Sequence, residues 1–485
     1  MNAVPAGIKR RQLGLLTLVM VTFFMVSGGP YGLEELVKSS GPGVAILLLA
    51  ITPIIWSVPT ALMVAELSSM MPVEGGYYAW VKRALGPFWG FQEGWWSWLA
   101  SFVDMAIYPV LFATYLTALL ERLGLPGLGD DPIARWLPAL AVIWVFTLLN
   151  VLGARPVGRS SVLFGLIVLA PFVVMSYLGL VQLAGAERMP WEPLAPPDQP
   201  LLNAFGLGLF IVMWNYSGWD GPSTVGDEVD RPARAIPLTL LIAVPLVTLV
   251  YLVPTLVGLV GTPDWTEWRE GSLPEIAAAL GGEWLGVCVA AVGVVSAAAL
   301  FSGNLLSVSR LPYVMALDGY LPGAMARVSR RFGTPIVSIV VCAAIYSIFS
   351  FQEFAWLVIV DVLLQAAAIL LEFAALVAMR RRFPDATRPF RIPGGWAGVG
   401  LVTALPAALL AMAVVASLQE TASAAAVYAA GAALLSGVVA YPIARLSFKR
   451  GRSDVYVPLS GETPDGDWRA TTLAELVPKA RPEWR

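Results

Sequence analysis

The chain has 485 residues, of which 58% are hydrophobic and only 13% charged, and its formal net charge is −2. Soluble domains carry roughly 25% charged residues, so a chain this apolar lacks the polar side chains to cover a soluble surface, and its charge balance gives no sign of a nucleic-acid partner. It has no histidine and two cysteines, Cys288 and Cys342, which removes the commonest metal ligand and proton relay and leaves too few thiols for a disulfide framework or metal cluster.

A transmembrane helix needs about 20 mostly apolar residues. In chain order, such stretches are predicted at 12–37, 41–66, 91–120, 136–154, 160–186, 201–226, 235–261, 284–309, 334–352, 354–379, 396–418 and 422–444, about twelve spans. Lys9, Arg10 and Arg11 precede the first run in the manner of a signal peptide. That run lacks a small-residue cleavage site and continues into Glu34 and Glu35, so it is read as a span. Residues 72–86 are too short and polar to cross and are predicted to form an amphipathic helix at the cytoplasmic interface. The tail from 451 is polar, contains Pro and Gly, and is expected to be loosely ordered.

An even number of spans puts both termini on one side. With the N-terminus inside, only Lys38, Arg122, Arg135, Arg188 and Arg269 of the 31 Lys and Arg residues fall outside. That asymmetry is what the positive-inside rule expects, with both termini cytoplasmic.

Two spans carry helix breakers at their centres: Ser27-Gly28-Gly29-Pro30-Tyr31-Gly32 in the first, and Asn215-Tyr216-Ser217-Gly218-Trp219-Asp220-Gly221-Pro222-Ser223 in the sixth. Proline removes a backbone donor and clashes with the preceding turn, and glycine weakens a helix. Bare backbone is tolerated at membrane depth only where it lines a cavity. Ordinary kinks are the alternative, since Gly and Pro are common in membrane helices. However, the two breaks stand in register, five spans apart, so the second copy enters from the opposite side. Matching interruptions in two halves point to a transporter binding site. The prediction is an inverted repeat of spans 1–5 and 6–10 with two added spans. Residues 1–186 then form the N-terminal region and first repeat, 187–392 the second, 393–450 the added spans and 451–485 a cytoplasmic tail.

These residues also resemble the amino acid–polyamine–organocation superfamily. The resemblance rests on the first break, on Ala65-Glu66-Leu67-Ser68 through Pro72, Gly75-Gly76-Tyr77, Trp80 and Gly86, and on Asp227-Glu228-Val229 with Arg231-Pro232 and Ile236-Pro237. Within it, Val26 to Gly32, Ile55-Trp56-Ser57-Val58-Pro59, Gly86-Pro87-Phe88-Trp89-Gly90, Trp214-Asn215, Trp219-Asp220 and Ser223-Thr224 are similar to plant and protozoan polyamine uptake transporters. The resemblance implies an all-α LeuT-like fold with discontinuous helices 1 and 6, and alternating access. Where that group has paired glutamates directly after the glycine, this chain has Leu33 and then Glu34-Glu35, so only Glu34 carries over. Some proton-coupled relatives use a lysine in the fifth span; Val168 stands there, and that mechanism is not transferred.

An ionisable group inside a membrane helix costs roughly 2.5–3.5 kcal/mol on insertion scales and is a functional candidate by default. The deep charges read from the sequence are all acidic: Glu34, Asp104, Asp220, Asp361 and Glu372. An acidic interior without bases suits a cationic substrate, protons, or both. Glu34 follows the first break, where it either complements the helix N-terminus or binds an amine. Asp220 either caps the restarted helix or faces the cavity. Asp104 is either a ligand or a packing lock. Asp361 and Glu372, eleven residues apart, lie about 16 Å from each other, with Asp361 a candidate for an outer gate and Glu372 for gating or proton coupling. Glu66 is expected to brace the inner gate. Tyr31, Tyr216 and Trp219 are candidates to close over a cation, the alternative being packing. The Ser27-Gly28-Gly29 backbone could instead bind a substrate carboxylate. Trp89, Trp95, Trp96 and Trp98 read as an interfacial belt with some core packing, and Ser302-Gly303-Asn304 as a weak candidate for a sodium site.

The sequence therefore predicts a secondary transporter in the plasma (inner) membrane, taking up polyamines or other cationic amines with the proton as coupling ion. It is expected to need no cofactor, metal or obligate subunit, and not to be an enzyme. A permease or exchanger of zwitterionic amino acids, a nutrient receptor with a transporter fold, and a channel are the alternatives.

Overall fold

The computed structural model describes residues 13–447 apart from 74, 130, 186–188, 198–199, 263, 352–353 and 418–420. The basic cluster Lys9–Arg11, Arg188 and the tail from 451 lie outside the described residues.

Among the described residues the chain's elements are helices, with one isolated bridge between Leu13 and Val229. Its elements are α1 (Leu15–Val26), α2 (Glu34–Ser40), α3 (Pro42–Thr52), α4 (Val58–Met70), α5 (Gly76–Leu85), α6 (Pro87–Arg122), α7 (Pro132–Leu152), α8 (Ala154–Leu183) and α9 (Leu201–Asn215). There follow α10 (Gly221–Thr224), α11 (Pro232–Gly261), α12 (Leu273–Gly281), α13 (Glu283–Val308), α14 (Arg310–Leu317), α15 (Ile336–Phe349), α16 (Phe354–Arg382), α17 (Gly395–Ser417) and α18 (Thr421–Ser447). A π turn over Pro53–Ser57 joins α3 to α4, and it falls on the Ile55-to-Pro59 motif.

Among the described residues nine helices are long and apolar enough to cross a membrane, against the twelve or so expected. The other three expected spans contain only short apolar helices, Leu15–Val26, Asn203–Asn215 and Ile336–Phe349. The first two end beside the glycine- and proline-containing segments. α1 stops at Val26 and α2 begins at Glu34; α9 stops at Asn215 and α10 begins at Gly221. The sequence reading missed α12, nine residues too short to register as a span.

α6, about 54 Å long by helix rise, is the central spar and packs on α5, α7, α13, α15, α16 and α18. Burial grades outward: the apolar window of α13–α14 is 72% buried, whereas that of α18 is 17% buried. Rim side chains such as Leu241, Tyr428 and Leu435 are exposed and apolar, a band that requires lipid cover.

Two ends of the bundle can be told apart. At one end α5 lies across the helices, and Arg382 at the end of α16 donates to Ala84 O (2.5 Å). At the other end Arg122, closing α6, pairs with Glu283, which opens α13 (2.5 Å), and α12 packs nearby. Most described ion pairs gather at the α5 end. Glu66 takes Arg380 (2.5 Å) and Arg388 (3.4 Å), Glu228 takes Arg310 (2.8 Å) and Asp318 takes Lys82 (2.6 Å).

The two breaks meet back to back. Gly218 has φ 95°, and a Cβ there would run into the Met25 carbonyl, so only glycine allows this approach. Helix ends leave carbonyls without intrahelical donors, and neighbouring side chains supply them. The Tyr251 hydroxyl, with its single proton, lies within hydrogen-bond distance of both Val26 O (3.2 Å) and Asn215 O (3.0 Å), the last residues of α1 and α9. Asn304 Nδ2 reaches Phe24 O (3.3 Å), Ser296 Oγ donates to Gly28 O, and Ser307 Oγ reaches Gly221 O (3.2 Å). Tyr251→Phe removes the donor shared by both helix ends. A buried acceptor left unsatisfied costs about 1–3 kcal/mol, so this variant is expected to melt at lower temperature in detergent. An unchanged melting temperature would mean that water serves both carbonyls equally well.

Candidate functional site

Two cavities lie where the breaks meet. The first is lined by Gly28, Gly29 and Tyr31 from the first break, Trp214, Asn215, Ser217 and Gly218 from the second, and Asp104, Tyr108, Tyr251, Asn304 and Gln365 from around them. The second continues toward the α5 end and is lined by Asp220, Gly221, Tyr77, Ser97, Ser101, Ser307 and Ile369 among others. Both share Asp104, Gly218, Asn304 and Gln365, so they are two lobes of one space. Among the described residues the lining contains two carboxylates, Asp104 and Asp220, and no Lys or Arg.

Asp104 projects from the middle of α6. Its Oδ1 accepts from Tyr108 Oη, one turn on (2.7 Å), and from Trp214 Nε1 (3.1 Å). Asn304 Nδ2 in turn donates to Tyr108 Oη (3.2 Å). The aspartate is thus oriented by α6 and α9 together, with both hydrogen bonds on one oxygen. Asp220 sits at the start of α10, where its backbone carbonyl accepts from Ser223 N (2.9 Å). Helix-start geometry and a place on the cavity wall coexist there.

The other expected residues are distributed differently. Glu34 lines neither lobe. Its Oε2 accepts from Gly32 N (2.8 Å), and its Oε1 accepts from Tyr115 Oη (2.8 Å) and Leu273 N (3.3 Å). It ties the restarted helix α2 to α6 and α12. Tyr31 does line the first lobe, but its hydroxyl is bound to Val289 O (2.7 Å) and its ring packs edge-on against Tyr115 and Phe172. Ser27 Oγ accepts from Gly29 N (3.2 Å) and shapes the break from behind. Tyr216 turns away, its hydroxyl on Leu49 O (2.9 Å) and its ring against Tyr251. Trp219 is fully buried and lines neither lobe. Asp361 and Glu372 are fully buried behind the lobes, and Glu66 lies in the α5-end ion-pair cluster, where Ile392 N also donates to it (2.8 Å). Trp95 and Trp96, expected in an interfacial belt, donate to Ser436 Oγ (2.9 Å) and Leu434 O (3.0 Å) of α18.

Several wall residues escaped the sequence reading. Tyr108 follows Asp104 by four residues, a helical contact spacing that was available as a signal. Tyr251 and Gln365 lie in apolar runs with no local mark. Arg310 is a base buried completely within the long α13–α14 span. It was counted as a loop residue, and the two hydrogen bonds that its Nε and Nη2 donate to one oxygen of Glu228, at 3.0 and 2.8 Å, explain how it is accommodated.

At the α12 end, outside the spans, Glu270 Oε1 accepts from Thr114 Oγ1 (3.0 Å). Burial, reinforced by the negative charges of Glu34 and Glu35, raises its carboxyl to about 7 against the pull of Thr114 and Arg135. A raised carboxyl binds more protons folded than unfolded, so its contribution to stability is lost as pH climbs from the ordinary carboxylate range through about 7. Melting temperature measured from pH 5 to 8 is expected to fall more steeply in wild type than in Glu270→Gln; parallel curves would remove Glu270 from the cause.

A family profile described as Amino acid permease matches residues 16–433. Over 413 residues the chain is 39% identical to the probable polyamine transporter At1g31830 of Arabidopsis thaliana, covering 84% of this chain and 80% of that protein. Over 410 residues it is 37% identical to the polyamine transporter PUT1 of Oryza sativa subsp. japonica, covering 84% and 74%. Among solved structures, that of MhsT in complex with L-phenylalanine superposes with a TM-score of 0.59 at 12% identity, covering 84% of this chain and all of that one. The likeness supports the LeuT-like fold that the sequence motifs implied.

Proposed function

The chain belongs to the amino acid permease family and is a membrane-embedded secondary transporter of the amine and amino acid type, and we propose that its substrate is a polyamine or a similar cationic amine, taken up with protons. The observation that carries this reading is the cavity wall: two carboxylates, Asp104 and Asp220, and no base among the described lining residues. In a low-dielectric interior such a wall attracts an ammonium group and repels a free carboxylate. Asp104 is the primary amine ligand through the oxygen left over by Tyr108 and Trp214. Asp220 takes a second amine in the lower lobe. Glu34 keeps the half-helix geometry and does not touch substrate. The relatives named polyamine transporters support the same substrate class.

The fold reading completes the proposal. The short helices at both breaks and α15 count as spans, giving twelve in an inverted repeat of five and five with α17 and α18 added. Residues 1–186, 187–392, 393–450 and 451–485 are the corresponding units. The α5 end faces the cytoplasm of the plasma membrane, with both termini there. Its ion pairs around Glu66, Glu228 and Asp318 close the inner gate and must part when the cavity opens inward. Tyr31, Tyr216 and Trp219 act through the packing of the breaks, Asp361 remains available for proton coupling, and Glu372 belongs to the gating side of the cavity.

A second reading has its own observation. Gly28 and Gly29 line the first lobe, and backbone at a helix end can receive a carboxylate, as an amino acid permease or exchanger would need.

Charge-assisted hydrogen bonds contribute about 1.5–3 kcal/mol, so Asp104→Asn is expected to weaken putrescine or spermidine binding about tenfold to a hundredfold, read by thermal shift of the purified protein. Glu34→Gln is expected to lower the melting temperature and leave that affinity within about threefold, less than 1 kcal/mol. A thermal shift with zwitterionic amino acids alone would replace this substrate class with the second reading.

Coupling is tested separately in proteoliposomes. An inwardly directed proton gradient is expected to accelerate uptake of labelled putrescine, and a protonophore to abolish the acceleration. Uptake indifferent to the gradient but driven by internal substrate would identify an exchanger.

A further inference from the structure

The sequence reading and the cavity both omit Glu93, a carboxylate in the second turn of α6. It is fully buried. Its Oε1 accepts from Ser97 Oγ (3.2 Å), and its Oε2 has no partner. Glu93 stands eleven residues before Asp104 on α6, as Asp361 stands eleven residues before Glu372 on α16. Eleven residues make three turns plus about 20°, so each pair shares one helix face with its members about 16 Å apart.

α6 and α16 pack against each other and run in opposite directions. α6 starts directly after α5, while the C-terminal end of α16 reaches back to α5 through Arg382 and Ala84. The two acid pairs therefore line up as rungs. Asp361 lies within electrostatic range of Asp104, and Glu372 within range of Glu93. Asp220 lies within electrostatic range of Asp361, Glu372 and Glu93.

The lower rung is distinct from the cavity already described and adjoins it. Ser97, one turn from Glu93, and Ile369, one turn from Glu372, both line the second lobe. So does Tyr77 of α5, which lies within range of Asp220, Glu93 and Glu372 together. Both oxygens of Glu372 lack a hydrogen-bond partner, and no described ion pair reaches either glutamate. The bases of the α5 end are engaged elsewhere: Lys82 with Asp318, Arg310 with Glu228, and Arg380 and Arg388 with Glu66. Removing carboxylates from water without a counter-charge costs several kcal/mol per ion, and packing alone would be served better by apolar side chains.

We propose that Glu93 and Glu372 form a second cation station on the exit side of the main cavity, which receives an ammonium group of the amine handed on from Asp220 past Tyr77. The station rests on the cationic-amine reading of the main cavity. At about 16 Å, the rungs are too far apart for a short diamine to occupy both, so the amine steps from one to the other as the α5 end opens. Asp220, on the second lobe and within range of both glutamates, shortens the step.

The test uses the full-length protein carrying Glu93→Gln, Glu372→Gln and both together. Thermal shift with putrescine reports binding to the main cavity, and counterflow of labelled putrescine in proteoliposomes reports passage. The expected result for the double variant is a putrescine affinity within about threefold of wild type, an unchanged or raised melting temperature, and counterflow slowed at least tenfold. Counterflow at the wild-type rate would overturn the station while leaving the main reading standing. A lower melting temperature with weakened binding would show a structural role and overturn it too. Normal counterflow combined with loss of proton-driven uptake would assign the pair to the proton and refute an ammonium station. If wild type shows no thermal shift with putrescine, the cationic-amine reading itself fails, and the station with it.

Discussion

Two helices that stop in the middle of an apolar bundle leave backbone carbonyls with nowhere to go, and the centre of this protein is arranged around that constraint. Water cannot be relied on at membrane depth, so the missing donors come from side chains. α11 and α13 supply them: Tyr251 is shared by the ends of α1 and α9, while Asn304, Ser296 and Ser307 serve Phe24, Gly28 and Gly221. Three of these four, Tyr251, Asn304 and Ser307, also line the cavity lobes. The side chains that make the breaks tolerable are therefore the same ones that give the cavity its polar wall.

Charge is partitioned along the bundle axis. At the α5 end acids and bases are matched, with Glu66 holding two arginines, Glu228 a buried arginine and Asp318 a lysine. Further in, no described ion pair gives the acids a matching base: Asp104 and Asp220 border the cavity, and Asp361, Glu93 and Glu372 are buried outside its lining. Removing one member of a buried pair costs several kcal/mol because the other charge is stranded. That makes the matched end stiff, as the closure proposed there would need to be. On the proposed cationic-amine reading a bound substrate cation completes the unmatched interior, and alternating access requires both properties. Binding must be strong enough to enter, and the closure must be breakable by a rearrangement of whole helices.

Proximity in sequence and proximity to the cavity diverge at the first break. Glu34 follows Pro30 by one helical turn, yet the left-handed turn at Gly32 (φ 84°) and the arrival of Tyr115 and Leu273 draw its carboxylate to the α12 side. Asp104, with no local motif around it, reaches the cavity because α6 is the helix on which the others pack. Trp219 and Tyr216 show the same divergence: the sixth-span break carries both, yet neither lines the lobe that Trp214 and Ser217 line.

The sequence alone determined the class of molecule, the position of the two breaks and the acidity of the interior. These follow from composition and local chemistry: apolar run length, the backbone limits of Gly and Pro, and the high cost of a charge in lipid. Helix α12 stayed hidden because nine residues carry too little periodic signal. Glu93 stayed hidden because a carboxylate near a predicted span end reads as interfacial. Which acids face one another, and which carbonyls find donors, was decided only by the tertiary structure. Those contacts join residues more than a hundred positions apart, such as Trp214 with Asp104 and Asn304 with Phe24. They depend on the rotation of one packed helix against another, which no local pattern encodes.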